Sequence, residues 1–119
     1  MFTEPQSVTI SSVAVPMARI GTSQPERLGR FVSSDGRTSL DVRQDKTAKR
    51  FRREIRLTRV VTAADPISAV NSEVSASVIF IVDEPKYGFT DADLTAMVSG
   101  FLTFLGNAGN QTKLLQGEN

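Results

Sequence analysis

The chain has 119 residues, a formal net charge of +1, and neither cysteine nor histidine. That composition excludes disulfides, thiolate nucleophiles, His-based general base catalysis and zinc sites of the usual Cys/His kind, and the length suits one domain with one core. The small net charge hides an asymmetry. Residues 27–59 carry eleven basic side chains against four acidic ones, a span of +7, while the remainder carries three against nine and is −6. A basic sheet on a mildly acidic protein is the electrostatic footprint expected for a phosphate-backbone partner.

Residues 1–26 predict a strand pair and a connection. Ser7–Ile10 and Ser12–Ile20 are short β-branched runs. Pro16 in the second suits an edge strand or an arm better than a sheet centre, so the pair is either an outer hairpin or an arm to a neighbour. The first ten residues lack the basic and apolar regions of a signal peptide, and no apolar run approaches a membrane span; a soluble product without a cleavable leader is the expectation. Gly21–Glu26 is a polar connection punctuated by Gly and Pro.

Residues 27–84 predict an antiparallel meander. Leu28–Ser33 leads into Asp35-Gly36, a two-residue hairpin signal. Arg37–Gln44 alternates, with Leu40 and Val42 on one face and Ser39, Asp41 and Arg43 on the other. After a polar turn at Asp45–Lys49, Phe51–Val61 alternates again: Phe51, Ile55 and Leu57 share parity with Arg53 and Arg59, opposite Arg52, Glu54, Arg56 and Thr58. Thr62–Ser72 is a loop containing Asp65-Pro66. Val74–Val82 is the most apolar strand. Consecutive strands with short turns exclude βαβ units.

Residues 90–116 predict helices. Thr90 and Asp93 form a capping-box pattern, Phe89 can staple to Leu94, and Asp91 and Asp93 suit the positive end of a helix. Leu94, Met97, Val98, Phe101, Leu102 and Leu105 mark one buried face, and Gly106 is a candidate C′ residue. Phe104 lies off that stripe, which points to burial on a second side, as at a subunit interface. A shorter helix is expected near Gln111–Gln116. One and a half helices cannot cover both faces of such a sheet, so the face rich in Arg, Ser, Thr, Asp and Glu stays wet.

This order of parts resembles the coat proteins of the small single-stranded RNA bacteriophages, the leviviruses. Phe31-Val32-Ser33-Ser34 is similar to the family's aromatic–aliphatic–Ser-Ser strand end. Ser39-Leu40-Asp41-Val42-Arg43-Gln44 resembles its alternation ending in Val-Arg-Gln, and Pro85–Asp91 followed by the Leu94–Leu105 helix resembles its sheet-to-helix junction. The resemblance implies an α+β fold with an N-terminal strand pair, a five-stranded antiparallel sheet and two C-terminal helices. It also implies an interlocked homodimer, with Leu94, Met97, Val98, Phe101, Leu102, Phe104 and Leu105 at the dimer interface. Dimers would build an icosahedral shell, usually T=3, with contacts near Asp65 and Pro66, in a virion assembled in the host bacterial cytoplasm. The inner sheet face would bind genomic single-stranded RNA through Ser39, Asp41, Arg43, Glu54, Arg56, Glu73 and Ser75. No cofactor, metal, membrane partner or enzymatic activity is implied. Asp41 and Glu54 stand where relatives carry small hydroxyl residues, and Glu73 where the best-known members carry a base-stacking tyrosine, so the same hairpin specificity is not expected.

Other readings of the same residues stand beside this one. The basic cluster also fits an ordinary solvated hairpin, or a stand-alone dimeric RNA-binding regulator. A regulator's face would carry stacking aromatics, and Phe31 is the only candidate. Asp41 and Glu54 could form a paired-carboxylate site across adjacent strands, but the neighbouring Arg43 and Arg56 make a cross-strand ion-pair ladder the simpler account.

Overall fold

The computed structural model describes residues 2, 4–21 and 27–119. Most of the Gly21–Glu26 connection therefore lies outside the described residues. The chain divides into two compact units, Met1–Glu84 and Pro85–Asn119.

The first unit is built on a six-stranded antiparallel sheet in sequence order: β1 (Gln6–Ile10), β2 (Val13–Ile20), β3 (Leu28–Ser33), β4 (Thr38–Lys46), β5 (Arg50–Ala64) and β6 (Asn71–Pro85). The N-terminal pair is thus continuous with the sheet, and the total is six strands, not a pair added to five. Ser11 and Ser12 join β1 to β2 with φ of 52° and 64°, the double left-handed pattern of a tight hairpin turn. Pro16 is tolerated because β2 pairs β3 only from Met17 to Ile20. At Pro16 the strand has a neighbour on one side alone, opposite Ser7, so its missing N–H leaves no ladder position vacant.

The hairpin expected at Asp35-Gly36 forms, but not as a two-residue turn. β3 ends at Ser33 and β4 begins at Thr38. Gly36 N–H donates to the Ser33 carbonyl at 2.9 Å, and Gly36 takes φ +72°, where glycine carries no Cβ penalty. Arg37 N–H and the Ser33 hydroxyl both donate to Asp35 Oδ1, at 3.0 and 2.5 Å. The side chains stabilise a four-residue connection that dipeptide signals do not encode.

Alternation along β3, β4 and β5 sorts the residues onto two faces. On one, Phe31 pairs Leu40 and Leu40 pairs Leu57. Met17, Phe31 and Leu40 form the core, with Val8, Val15, Ile55 and Leu57 packed against it. The β1–β2 hairpin supplies part of that cover, since β2 also contacts β4 and the sheet curls. The two basic residues that share this parity in β5 have different surroundings. Arg53 Nε and Nη2 donate to Glu84 Oε1 at 3.1 and 2.7 Å, and Nη1 donates to Gln44 Oε1 at 2.9 Å. Glu84 is only 8% exposed, so this guanidinium supplies the partner that a buried carboxylate requires. Arg59 stands opposite Thr38, where β4 begins; beyond it β5 and β6 run on to the turn at Asp65.

In the second unit, α1 spans Asp91–Gly106 and α2 spans Ala108–Leu115. The capping box is complete, with Thr90 Oγ1 accepting from Asp93 N–H at 3.1 Å and Asp93 Oδ2 accepting from Thr90 N–H at 3.4 Å. Gly106 is the last helical residue and not a left-handed C′. The helix ends instead at Asn107, extended at φ −73° and ψ 122°, whose side chain accepts from Gly109 and Asn110 N–H and so caps α2 as well. One residue thus ends one helix and starts the next, which is why α2 begins three residues ahead of the expected Gln111. No helix among the described residues is long and apolar enough to cross a membrane.

Phe31, fully buried, is a core residue and not a stacking surface. Phe31→Ala should cost about 3–5 kcal/mol, the range for emptying a well-packed aromatic site. Urea unfolding checks it; a midpoint within error of wild type would contradict the core placement.

Candidate nucleic-acid interface

The opposite face collects the charge. Cα pairing places Arg30, Asp41 and Arg56 in one row across β3, β4 and β5, and Leu28, Arg43 and Glu54 in the next. Ser39 pairs with Val32 on one side and Thr58 on the other. The hydroxyls of Thr58 and Ser77 lie 3.1 Å apart, so Ser77 joins this face, and alternation along β6 brings Ser75 and Glu73 with it. All seven residues expected on the sheet face therefore share one face. The register also adds two hydroxyls that parity places on this face but that were not among the expected contacts. The partner of Ser39 is Thr58, and Thr58 leads on to Ser77. Counting back from the turn between β4 and β5 could have found Thr58.

Acids and bases alternate both along and across the strands. Asp41 and Glu54 do not face each other; Asp41 stands opposite Arg56 and Arg43 opposite Glu54. Arg30 Nε lies 3.6 Å from Asp41 Oδ1, Arg43 Nε 2.9 Å from Asp45 Oδ2, Arg50 Nε 2.8 Å from Asp83 Oδ1 and Arg56 Nη2 3.5 Å from Glu54 Oε1. Arg27 Nη2 closes on Asp45 Oδ1. The expected cross-strand ladder forms only in part: Arg30 reaches Asp41 across strands, whereas Arg43 and Arg56 pair along their own strands, with Asp45 and Glu54. Asp41 Oδ1 is shielded and makes no hydrogen bond; it depends on the fields of Arg30 and Arg56, since an unpaired buried carboxylate oxygen is costly.

Two carboxyls here are held below the usual aspartate range by identifiable donors. For Asp45 the main cause is the hydrogen bond from Arg27, with Arg43 adding to it. For Asp65 it is the backbone N–H groups of Ile67 and then Ser68, which donate to Oδ1 at 2.7 and 3.2 Å. Asp65 also closes its own turn, donating from N–H to the Val70 carbonyl at 3.0 Å. Asp65-Pro66 is thus an ordered turn, and it leaves Ile67 97% exposed.

The apolar residues expected at an interface are the other exposed feature. Met97, Phe101, Leu102 and Phe104 are each more than half exposed, and α1 contains no buried residue. Leu94, Val98 and Leu105 are half-buried. In β6, Val74 and Val78 are exposed on one side and Ile79 and Ile81 on the other. β6 is the last strand in the order, so its outer edge has no partner strand among the described residues.

No family model matches the chain, and no curated protein matches it in sequence. Its backbone, however, superposes on subunits of phage particles. The virus-like particle of bacteriophage AVE019 matches at a TM-score of 0.83, with 17% identity over 100% of this chain and 98% of that one. The virus-like particle of Beihai levi-like virus 21 matches at 0.75, with 10% identity over 97% and 94%. The protein capsid of bacteriophage GA matches at 0.59, with 16% identity over 96% and 95%. A curled antiparallel sheet followed by two C-terminal helices is therefore an architecture this chain shares with phage shell subunits. It is the levivirus coat-protein fold.

Because the carboxyl of Asp45 titrates lower in the folded chain than in the unfolded one, it contributes stability above the ordinary aspartate pKa of about 3.9 and loses it as pH falls through the depressed value. Asp45→Asn should therefore be less stable than wild type at pH 6 and closer to it at pH 3. Urea midpoints at the two pH values check this; an equal gap at both would contradict the Arg27–Asp45 pairing.

Proposed function

We propose that the chain is a structural capsid protein of a levivirus-like single-stranded RNA phage, acting as one coat-protein domain with no chemistry of its own. Homodimers form first and then close an icosahedral T=3 shell around genomic RNA, in a virion assembled in the host bacterial cytoplasm. The carrying observation is the apolar surface left open on two elements at once, the β6 edge and the α1 stripe, in a chain with the coat-protein fold. A 15-residue edge strand with Val74, Val78, Ile79 and Ile81 exposed is an aggregation hazard unless another strand covers it. A second copy does so symmetrically, joining β6 to β6 and receiving the helix face that includes Met97, Phe101 and Leu102.

The charged face then turns inward. Ser39, Ser75 and the added Thr58 and Ser77 offer hydroxyls to unpaired bases, and the basic residues that no carboxylate holds offer charge to phosphates. Asp65 and Pro66 make shell contacts from the turn between β5 and β6. Asp41, Glu54 and Glu73 on the same face oppose phosphate and argue against the hairpin readout implied by the family pattern.

Expression of the chain alone in bacteria, followed by electron microscopy and a 260/280 nm absorbance ratio, tests the reading. Uniform shells with a nucleic-acid spectrum are expected; a clean RNA-free dimer would overturn self-sufficient assembly and favour a scaffold. A dimer that retains RNA but never closes a shell would favour the regulator. Phe101→Asp places a charge in the apolar interface and should abolish the soluble dimer. A variant that still sediments as wild-type dimer would contradict the helix-mediated interface.

A further inference from the structure

The charged face is largely self-neutralised, and the exception is local. Toward the sheet centre, Arg30, Arg43 and Arg56 each lie beside a carboxylate, and farther along Arg50 is held by Asp83. Such a pair carries no net charge. A phosphate that approaches it gains little, because a neutral pair does not neutralise the phosphate and so displaces few of the counterions condensed on the RNA.

The end of the sheet at the turn between β4 and β5 differs. Arg52 stands opposite Asp45, but both oxygens of Asp45 are already taken, Oδ1 by Arg27 and Oδ2 by Arg43. Arg52 has no ion-pair partner among the described residues, and neither do Lys46 and Lys49; all three are exposed. The backbone that carries them is ordered: Thr47 N–H donates to the Arg50 carbonyl at 2.8 Å, and Arg50 N–H donates to Thr47 Oγ1 at 3.1 Å. Lys49 lies within that turn and Arg52 on the charged face just beyond it. Lys46 is the last residue of β4, on the opposite parity, where a long flexible stem at a strand end can reach either side.

We propose that Lys46, Lys49 and Arg52 form the principal phosphate-gripping site of this chain for single-stranded RNA, and that the centre of the sheet contributes little net electrostatic affinity. This rests on the RNA-packaging reading above and names where its charge is applied. Contacts of this kind carry no base information, so the site holds RNA of any sequence.

The test compares two variants of the purified dimer binding a single-stranded oligouridine across a salt series. K46Q/K49Q/R52Q removes the unpaired charges. R50Q/D83N deletes one neutral pair outside the residues assigned to RNA contact and leaves the net charge unchanged. For single strands each phosphate contact contributes about −0.7 to the slope of log K against log salt, so the first variant should lose about 2 from the slope and package less RNA. The second should keep the wild-type slope. A first variant with unchanged slope, or a second that loses as much as the first, would overturn the proposal. Circular dichroism confirms folding of both. Wild-type particles that contain no RNA would instead sink the underlying reading, an outcome separate from either slope result.

Discussion

A chain of this size that spreads its apolar residues over a curled sheet and a separate helical segment leaves much of that surface uncovered. Met17, Phe31, Leu40 and Val42 are the buried apolar residues, and all four sit where the β1–β2 hairpin curls over the sheet or close beside it. Val78, Met97, Phe101 and Phe104 stay more than half exposed. At about 25 cal/mol per Å² of apolar surface, leaving a helix face and a long edge strand in water forfeits several kcal/mol, a large fraction of ordinary domain stability. In the dimer proposed above, association would supply the missing core.

The same constraint sorts the two faces. Because β4 and β5 alternate strictly, every apolar side chain committed to the core commits its neighbours to the wet face. The basic span between residues 27 and 59 is therefore delivered mainly to one surface, except where parity sends a cation inward. Lys46, Arg53 and Arg59 have that parity, and Arg53 is matched by Glu84 from β6, 31 residues away in sequence. A mispaired register would strand Glu84 without a donor, so this buried pair helps specify how β5 meets β6.

Most of the fold was legible in the sequence because alternation, the capping box and the order of elements agree with one another. Asp35-Gly36 marked the correct hairpin but not its length, since Ser33 and Asp35 add side-chain hydrogen bonds that a dipeptide signal does not contain. Gly106 looked like a helix stop by composition alone. The double use of Asn107 as the end of one helix and the cap of the next depends on backbone angles that sequence does not display. In the candidate site the face was legible and the pairing was not. Parity puts Ser39, Asp41 and Arg43 together, but whether Asp41 meets Glu54 or Arg56 depends on the turn that begins at Thr47. Parity also shows Thr58 on this face, but that its hydroxyl meets Ser77 is visible only in the structure.

Self-neutralisation of the sheet face also bears on assembly. A face carrying the eleven basic side chains of residues 27–59 without compensation would repel its own copies wherever sheets are joined edge to edge, and repulsion of that kind opposes compact packing. Interleaving Asp41, Asp45, Glu54 and Asp83 among the arginines weakens that field at the sheet centre, and screening weakens what is left beyond about 10 Å. What survives is charge at strand ends, where, in the proposed dimer, a copy joined along β6 would meet it least. The proposed RNA partner would then be held from the ends of the sheet while the centre stays electrically quiet, so one pattern of residues would permit both close packing of copies and attachment of a polyanion.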